Sequence, residues 1–309
     1  MKKIFLLLFF LNSFFLVDEL LAQQDAQYSM YMLNPLAINP AYAGSRDVFS
    51  STILYRNQWQ WTNNISGAPV TAYFSAQMPL RKKKIGMGFE IISDKIGPKN
   101  ITASLLSYSY RIPLFKGKLS MGLKGGFYNY IFDLKKMNYR DKNDIYNTDK
   151  SNSHFTSTFD FGFLYYTRTF YCGFAFTHIN RGKISNVSGD SAAKQVHHLF
   201  LSIGKAFQIN ENVILNPVII LKTAENATVN YDIGINMLLK ERLWIGVSAR
   251  KDYGLVFLTQ YLINDKLKVG YSYDLGINRI GTIGKGSHEI MIGYDINIHN
   301  AKVMMPRYL

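Results

Sequence analysis

The feature that most constrains this chain is a two-residue alternation of apolar and polar side chains, repeated over long segments. From Val229 the odd positions read Val229, Tyr231, Ile233, Ile235, Met237 and Leu239. The even positions read Asn230, Asp232, Gly234, Asn236, Leu238 and Lys240. Successive side chains of a strand point to opposite faces, so one face is apolar and the other mostly polar or small. A helix would not hold its apolar residues at this spacing. The pattern returns at Leu243, Ile245, Val247 and Ala249 against Trp244, Gly246, Ser248 and Arg250. It returns again at Leu267–Gly276, at Glu289–Ile298 and, earlier, at Ile85–Ile91. Gly, Ser, Asn, Asp and Lys, mixed with bulky aromatics, oppose the apolar face. Such a mixture fits a crowded, wet lumen better than the outside of a soluble sandwich.

About fourteen such segments follow from the strand and turn rules. They begin near Val48, Pro69, Lys84, Asn100, Lys118, Thr156, Thr169, Val196, Asn212, Val229, Arg242, Asp252, Lys266 and His288. Most run about 9 to 13 residues, enough to cross a bilayer at a tilt, whereas globular strands are nearer 5 or 6. The links alternate in length. Short ones fall at Arg81–Lys83, Phe115–Gly117, Arg168, Gln208–Glu211, Lys240–Glu241 and Asn264–Asp265. Longer ones are expected at Trp61–Ala68, Ser93–Lys99, Asp133–Phe155, Asn180–Gln195 and Ile277–Ser287, with shorter outer links at Ala224–Thr228 and Arg250–Lys251. Short turns at one end and long loops at the other describe an outer-membrane barrel with both termini in the periplasm. An unpaired backbone group in hydrocarbon costs several kcal/mol, so the last strand must close on the first. The expected fold is all-β: a transmembrane, antiparallel, up-and-down β-barrel of about 14 strands over residues 48–300. A non-strand segment, residues 23–47, would lie below or inside the lumen, and residues 301–309 would form a C-terminal tail.

The start of the chain reads as an export signal over residues 1–22: Lys2 and Lys3, an apolar run broken at Asn12 and Ser13, and Leu20-Leu21-Ala22 before a cut. Charged residues are only 18% of the chain, against about 25% in ordinary globular domains. The net charge is +14. Its basic residues sit in turns and loops and not in a helix or stripe, which argues for solvated turns and anionic lipid headgroups as neighbours, not nucleic acid. Cys172 stands alone, so no internal disulfide is available.

The segment before the first strand carries two Asn-Pro pairs five residues apart, Asn34-Pro35 and Asn39-Pro40. Each proline fixes its own φ and pushes the preceding residue out of helical space, so the segment is turned or extended. Tyr28, Tyr31, Asn34, Pro35, Asn39, Pro40, Tyr42 and Gly44 are its candidate functional residues, either as a plug or as a docking element for a periplasmic partner. Asn230, Asp232, Asn236, Asp274 and Asp295 are the candidate lumen-facing polar residues.

Nothing in the chain singles out an enzyme, a cofactor site or a metal site. His197 and His198 are adjacent on a strand and point to opposite faces, so they cannot chelate as a pair; His154, His178 and His288 lie elsewhere. The loop with Asp141, Asp144 and Asp149 lacks the alternating ligands and closing Glu of a calcium loop. Asn64, Asn100, Asn186 and Asn226 open Asn-x-Ser/Thr triplets, which here read as loop composition.

The run Gln27–Ser45, followed by Tyr55-Arg56-Asn57-Gln58-Trp59 and Gly67-Ala68-Pro69-Val70-Thr71, resembles the PorP/SprF family of the Bacteroidetes type IX secretion system. The matching block runs from about Gln27 to Leu80, and the alternating strands beyond agree more diffusely. The resemblance implies an outer-membrane component that supports export or surface anchoring of adhesins and other cargo with a C-terminal sorting domain. In gliding relatives such proteins accompany the motility adhesin. It implies periplasmic and outer-membrane secretion components, adhesin cargo and outer-membrane lipid as partners. The alternative reading is an outer-membrane channel or transporter for hydrophobic or small solutes.

Overall fold

A computed structural model describes residues 25–59, 67–80, 84–136, 151–184, 193–278 and 286–297. The leader over residues 1–22, the tail over 301–309, the acidic loop residues Asp141, Asp144 and Asp149, and the triplets at Asn64 and Asn186 lie outside the described residues.

Fifteen hydrogen-bonded segments make one antiparallel sheet. They are β1 (Phe49–Asn57), β2 (Val70–Leu80), β3 (Ile85–Ile96), β4 (Lys99–Leu114) and β5 (Gly117–Asp133). β6 (Ser151–Tyr166), β7 (Phe170–Thr177), β8 (His198–Lys205), β9 (Phe207–Asn210) and β10 (Val213–Ala224) follow. The last are β11 (Asn230–Leu239), β12 (Leu243–Arg250), β13 (Gly254–Leu262), β14 (Leu267–Gly276) and β15 (Ser287–Ile296). β8 and β9 pair with successive stretches of β10 and form one stave interrupted at Ala206, so the barrel has fourteen staves. Each stave pairs with its neighbours in sequence, and β15 pairs with β1 from Phe49↔Ile296 to Asn57↔His288. No sheet margin is left, as hydrocarbon requires.

The outward face is apolar. Ile53, Leu106, Leu123, Ile233, Ile235 and Ile290 are all exposed. Tyr55 and Tyr231 face outward toward the long-loop end, and Tyr110, Tyr261 and Tyr294 toward the short-turn end, where amphipathic rings meet headgroups. The alternate face points inward and is mainly polar, with Thr52, Arg56, Glu90, Asp232, Asp274 and Glu289 buried. This inversion of a soluble protein's pattern is stable only with lipid outside and satisfied polar groups inside.

Three links differ from the sequence expectation. The long loop expected at Ser93–Lys99 is instead strand plus a tight turn, because β3 runs to Ile96 and β4 starts at Lys99. Gly97 takes a φ of +55° and Pro98 follows it, the order of residues that suits a type II′ hairpin. β6 begins at Ser151, five residues before the expected Thr156. Its polar start, Ser151–His154, lacks alternation but is paired by Tyr130–Asp133 of β5. The short link expected at Gln208–Glu211 is mostly strand β9.

The wall is therefore uneven. β5 has 17 residues, and at about 3.4 Å each with a tilt near 40° these rise roughly 44 Å, beyond the ~25 Å apolar band. The 8 residues of β7 rise only about 21 Å. β4 to β6 extend past the band at the long-loop end. The β7–β8 connection folds over them: Ile184, 2% exposed, packs with Ala103, Leu105, Tyr128 and Tyr130.

Replacing Ile235, midway along β11 on the outer face, with Arg should cost about 2–4 kcal/mol, and Ile209→Arg near the short-turn end about 0–1. Denaturant unfolding in lipid vesicles, read by the electrophoretic shift of the folded barrel, measures the difference.

Candidate functional site in the plugged lumen

Residues 25–47 run through the barrel from one end to the other. Asp25 lies at the long-loop end, against His178 and His198. Gly44 and Arg46 lie at the short-turn end, against Gln77, Arg111 and Asp295. The chain therefore enters β1 only after descending the lumen. Met30, Leu36, Ala41 and Ala43 along this path are fully buried, and Tyr28, Tyr31 and Tyr42 nearly so.

The two Asn-Pro pairs shape the descent. Pro35 opens the 3-10 turn Pro35–Ala37 and Pro40 opens Pro40–Tyr42. A proline at the first helical position has no N–H to leave unsatisfied, and its φ is already helical. Asn39 caps the second turn, its Oδ1 accepting from the Ala41 N–H at 2.9 Å. Its Nδ2 donates to the Phe163 and Phe174 carbonyls of β6 and β7, each at 3.1 Å. Asn34 is buried, with Ser75 Oγ 3.4 Å from its Oδ1.

The wall makes room for the plug where its inward residues are smallest. A Cβ on Gly122 would stand 2.3 Å from the Ala41 nitrogen, and one on Gly162 would stand 2.1 Å from Asn39 Oδ1. Serines beside these positions hold the plug's carbonyls. Ser120 Oγ donates to Ala41 O at 2.7 Å and Ser109 Oγ to Ala43 O at 2.8 Å. Lys124 Nζ donates to Leu36 O at 3.1 Å and pairs with Glu90 at 2.8 Å. Gly44 turns the chain out toward β1 at a φ of +63°, its N–H on Gln77 Oε1 and its carbonyl on Arg111.

Higher up, one row of charges joins six staves. Lys222 of β10 contacts Asp232 of β11 at 2.7 Å, and Asp232 contacts Arg250 of β12 at 3.2 Å. Arg250 lies 3.6 Å from Asp274 of β14. Arg56 of β1 then binds Asp274 at 2.6 Å and Glu289 of β15 at 3.1 Å. The signs alternate and cancel: Lys222, Arg250 and Arg56 against Asp232, Asp274 and Glu289. Glu289 also accepts the Ser29 and Met30 N–H groups at 2.8 and 2.7 Å, and Asp274 accepts from Ser29 Oγ at 2.6 Å. A stretch of plug backbone with no strand of its own is thus satisfied by Glu289, and the Ser29 hydroxyl by Asp274, two wall carboxylates that both pair with Arg56. Lys222 also stands over the Tyr31 ring, 4.9 Å from its centroid.

The candidate lumen residues are spread along the height of the barrel. Asp232 and Asp274 belong to the charge row. Asn236 contacts Met32 Sδ at 3.1 Å, and Asn230, at the upper rim, approaches the Lys251 carbonyl at 3.4 Å. Asp295 sits at the short-turn end, where it binds Arg46 at 2.9 Å, Ser50 at 2.6 Å and Lys268 at 3.2 Å. Sequence reading did not single out Arg56, Lys124, Lys222, Arg250 or Glu289. Strand parity alone puts several of them indoors. Their pairing depends on register, such as Arg56↔Glu289 and Asp232↔Arg250, and on the plug between them.

A cavity of about 150 Å³ remains between the plug and the β7–β8 connection. Tyr28, Tyr31, Lys99, Tyr130, His178 and His198 are among the side chains that line it. At the mouth, burial would raise the Asp25 carboxyl, but the charges of His178 and His198 outweigh it and hold the group well below its usual range. Burial likewise works to lower the His178 imidazole, and the Asp25 carboxylate overcomes it and raises the group.

Comparison with known proteins agrees with this architecture. The family described as type IX secretion system membrane protein PorP/SprF matches residues 20–294. No curated protein gives a significant match. Among solved structures, the chain is similar to the CymD monoaromatic hydrocarbon channel at a TM-score of 0.56 and 10% identity, covering 86% of this chain and 94% of that one. Omp33 of Acinetobacter baumannii gives a TM-score of 0.48 at 9% identity, covering 81% and 99% of the two chains. The Pseudomonas putida toluene transporter TodX gives 0.47 at 9% identity, covering 90% and 95%. At these identities the likeness speaks for the barrel alone, and the last two scores are too low to argue from.

Arg56→Met should destabilise the folded barrel by about 3–5 kcal/mol, because it leaves buried Glu289 without its cation and Asp274 with only the more distant Arg250. Arg56→Met combined with Asp274→Asn and Glu289→Gln should recover much of that loss. Unfolding midpoints in detergent compare the two.

Proposed function

The chain belongs to the PorP/SprF family of type IX secretion system membrane proteins, and from that membership we propose that it supports export or surface anchoring of adhesins and other cargo with a C-terminal sorting domain. It is an outer-membrane β-barrel component of that system. The family match across residues 20–294 carries the reading. The plug supports it from the physical side. A component whose task is to hold other proteins needs a rigid, closed body, whereas a solute channel needs a path. Here the path is filled by backbone hydrogen-bonded to both sides of the wall.

The two ends offer different surfaces. At the short-turn end the exposed turns carry Lys84, Lys116, Arg168, Lys240, Arg242 and Lys266 against Glu211, Glu241 and Asp265. This basic rim suits an acidic periplasmic component of the machine. The Asn-Pro segment itself is buried, so its part in docking is to hold the rim in place. The long-loop end, with its tall β4–β6 wall, faces outward and is the side available to cargo. Residues 1–22 serve as the export signal on this reading.

A deletion strain should lose adhesin-type cargo from its surface, as counted by antibody labelling of intact cells. Normal display would sink the proposal. The rival reading, a channel for hydrophobic or small solutes, has the CymD-like barrel in its favour. The purified protein in a planar bilayer should be electrically silent, whereas Gly122→Leu, which blocks the seat of Ala41, should produce frequent openings. Steady, solute-selective conductance by the unaltered protein would favour the channel.

A further inference from the structure

Asp25, His178 and His198 come from three separate parts of the chain and converge at the outer end of the lumen. A carboxylate oxygen and one ring nitrogen from each histidine lie within 4.8 Å of one another. Asp25 Oδ2 is 2.9 Å from His178 Nε2 and 3.7 Å from His198 Nδ1. Bonds of about 2.0–2.1 Å in a tetrahedral site place ligand atoms roughly 3.3 Å apart. The two separations straddle that value, so a shift of a few tenths of an ångström in the half-exposed Asp25 brings its oxygen to ligand spacing from both imidazoles.

The outer contacts of His178 match what a metal-ligating imidazole has. His178 Nδ1 is 2.8 Å from Thr158 Oγ1, and that hydroxyl lies 3.4 Å from Asp160 Oδ1. With Nδ1–H donating to Thr158 and Thr158 donating to Asp160, the Nε2 lone pair of His178 is directed at Asp25. The same Asp160 oxygen accepts the His178 N–H at 2.8 Å, which fixes the residue's backbone. His198 is 8% exposed, its Nδ1 lies 3.1 Å from the Val196 carbonyl, and its Nε2 is buried with no hydrogen-bond partner. The ring nitrogen of His198 measured toward Asp25 is Nδ1, so a bound ion would displace its contact with the Val196 carbonyl and leave the proton on Nε2. The adjacent cavity leaves space for a water or other small ligand in a fourth position.

We propose that Asp25, His178 and His198 form a binding site for a divalent transition-metal ion of the zinc class, which clasps the outer end of the plug to the β7–β8 segment. Two imidazoles and one carboxylate suit zinc and its neighbours better than calcium or magnesium, which favour all-oxygen shells. The ion takes the place of the proton shared between Asp25 and His178, and one proton leaves as it binds. Because Asp25 lies near the start of the plug and the histidines flank the connection over the mouth, the ion reinforces the Asp25–His178 contact that ties the two together.

The test uses the full-length protein in detergent, stripped with a chelator and titrated with Zn²⁺ alone. One Zn²⁺ per chain should bind and raise the thermal unfolding midpoint, while Ca²⁺ and Mg²⁺ should not. His198→Ala and Asp25→Ala should each weaken binding at least tenfold, and His197→Ala, which removes the neighbouring imidazole beside Glu225, should leave it unchanged. Co²⁺ added to the unaltered protein should give the visible absorption of a tetrahedral nitrogen and oxygen site, a measurement that does not depend on any variant folding. No tetrahedral Co²⁺ spectrum, or Zn²⁺ affinity untouched by His198→Ala, would overturn the proposal. An equal loss in His197→Ala would mean a surface histidine is responsible and would overturn it as well.

Discussion

Every peptide group that crosses hydrocarbon needs a partner, and this chain can supply one only by closing its sheet. The pairing of β15 with β1 is what makes the other staves possible. Closure in turn separates two solvents. Lipid meets Ile233, Ile235 and Ile290, while Arg56, Glu90 and Asp274 are shut inside with little water. A fourteen-stave barrel encloses more space than its own side chains fill, so the interior must be occupied or wet.

The occupant is the chain's own N-terminal segment, and the wall is cut to fit it. Glycines stand where the plug backbone passes closest, serines and Lys124 where its carbonyls need donors, and carboxylates where its N–H groups need acceptors. The charge row from Lys222 to Glu289 is costly to bury and is held by alternation of sign, with each carboxylate serving a cation and the plug backbone or a serine hydroxyl where one is near. Such an arrangement fixes one position of the plug, because a shift by a residue would strand Glu289 without the Ser29 and Met30 N–H groups.

Much of this is legible in the sequence. Alternation placed the staves, mostly within three residues of their ends, because parity is a local property of the backbone. It failed where local signals are weak. Ser151–His154 is polar on both faces and becomes strand only because β5 pairs with it, and the Ser93–Lys99 stretch hides a hairpin because a two-residue turn leaves little composition to notice. In the lumen, parity marked Asp232, Asn236, Asp274 and Asp295. It could not say that Asp274 meets Arg56 across an intervening stave, or that Asp25 meets two histidines more than 150 residues away.

The amino-acid order determined what each side chain must face, oil or interior, since that choice depends only on every second residue along a stave. It also determined that the segment with two Asn-Pro pairs would be no strand and no continuous α-helix, since each proline removes a backbone donor and restricts the residue before it. Only the closed barrel decided what the inward residues touch. Contacts across a lumen join positions whose separation in sequence carries no local signature, and they exist once register, closure and the threaded plug have all been settled together.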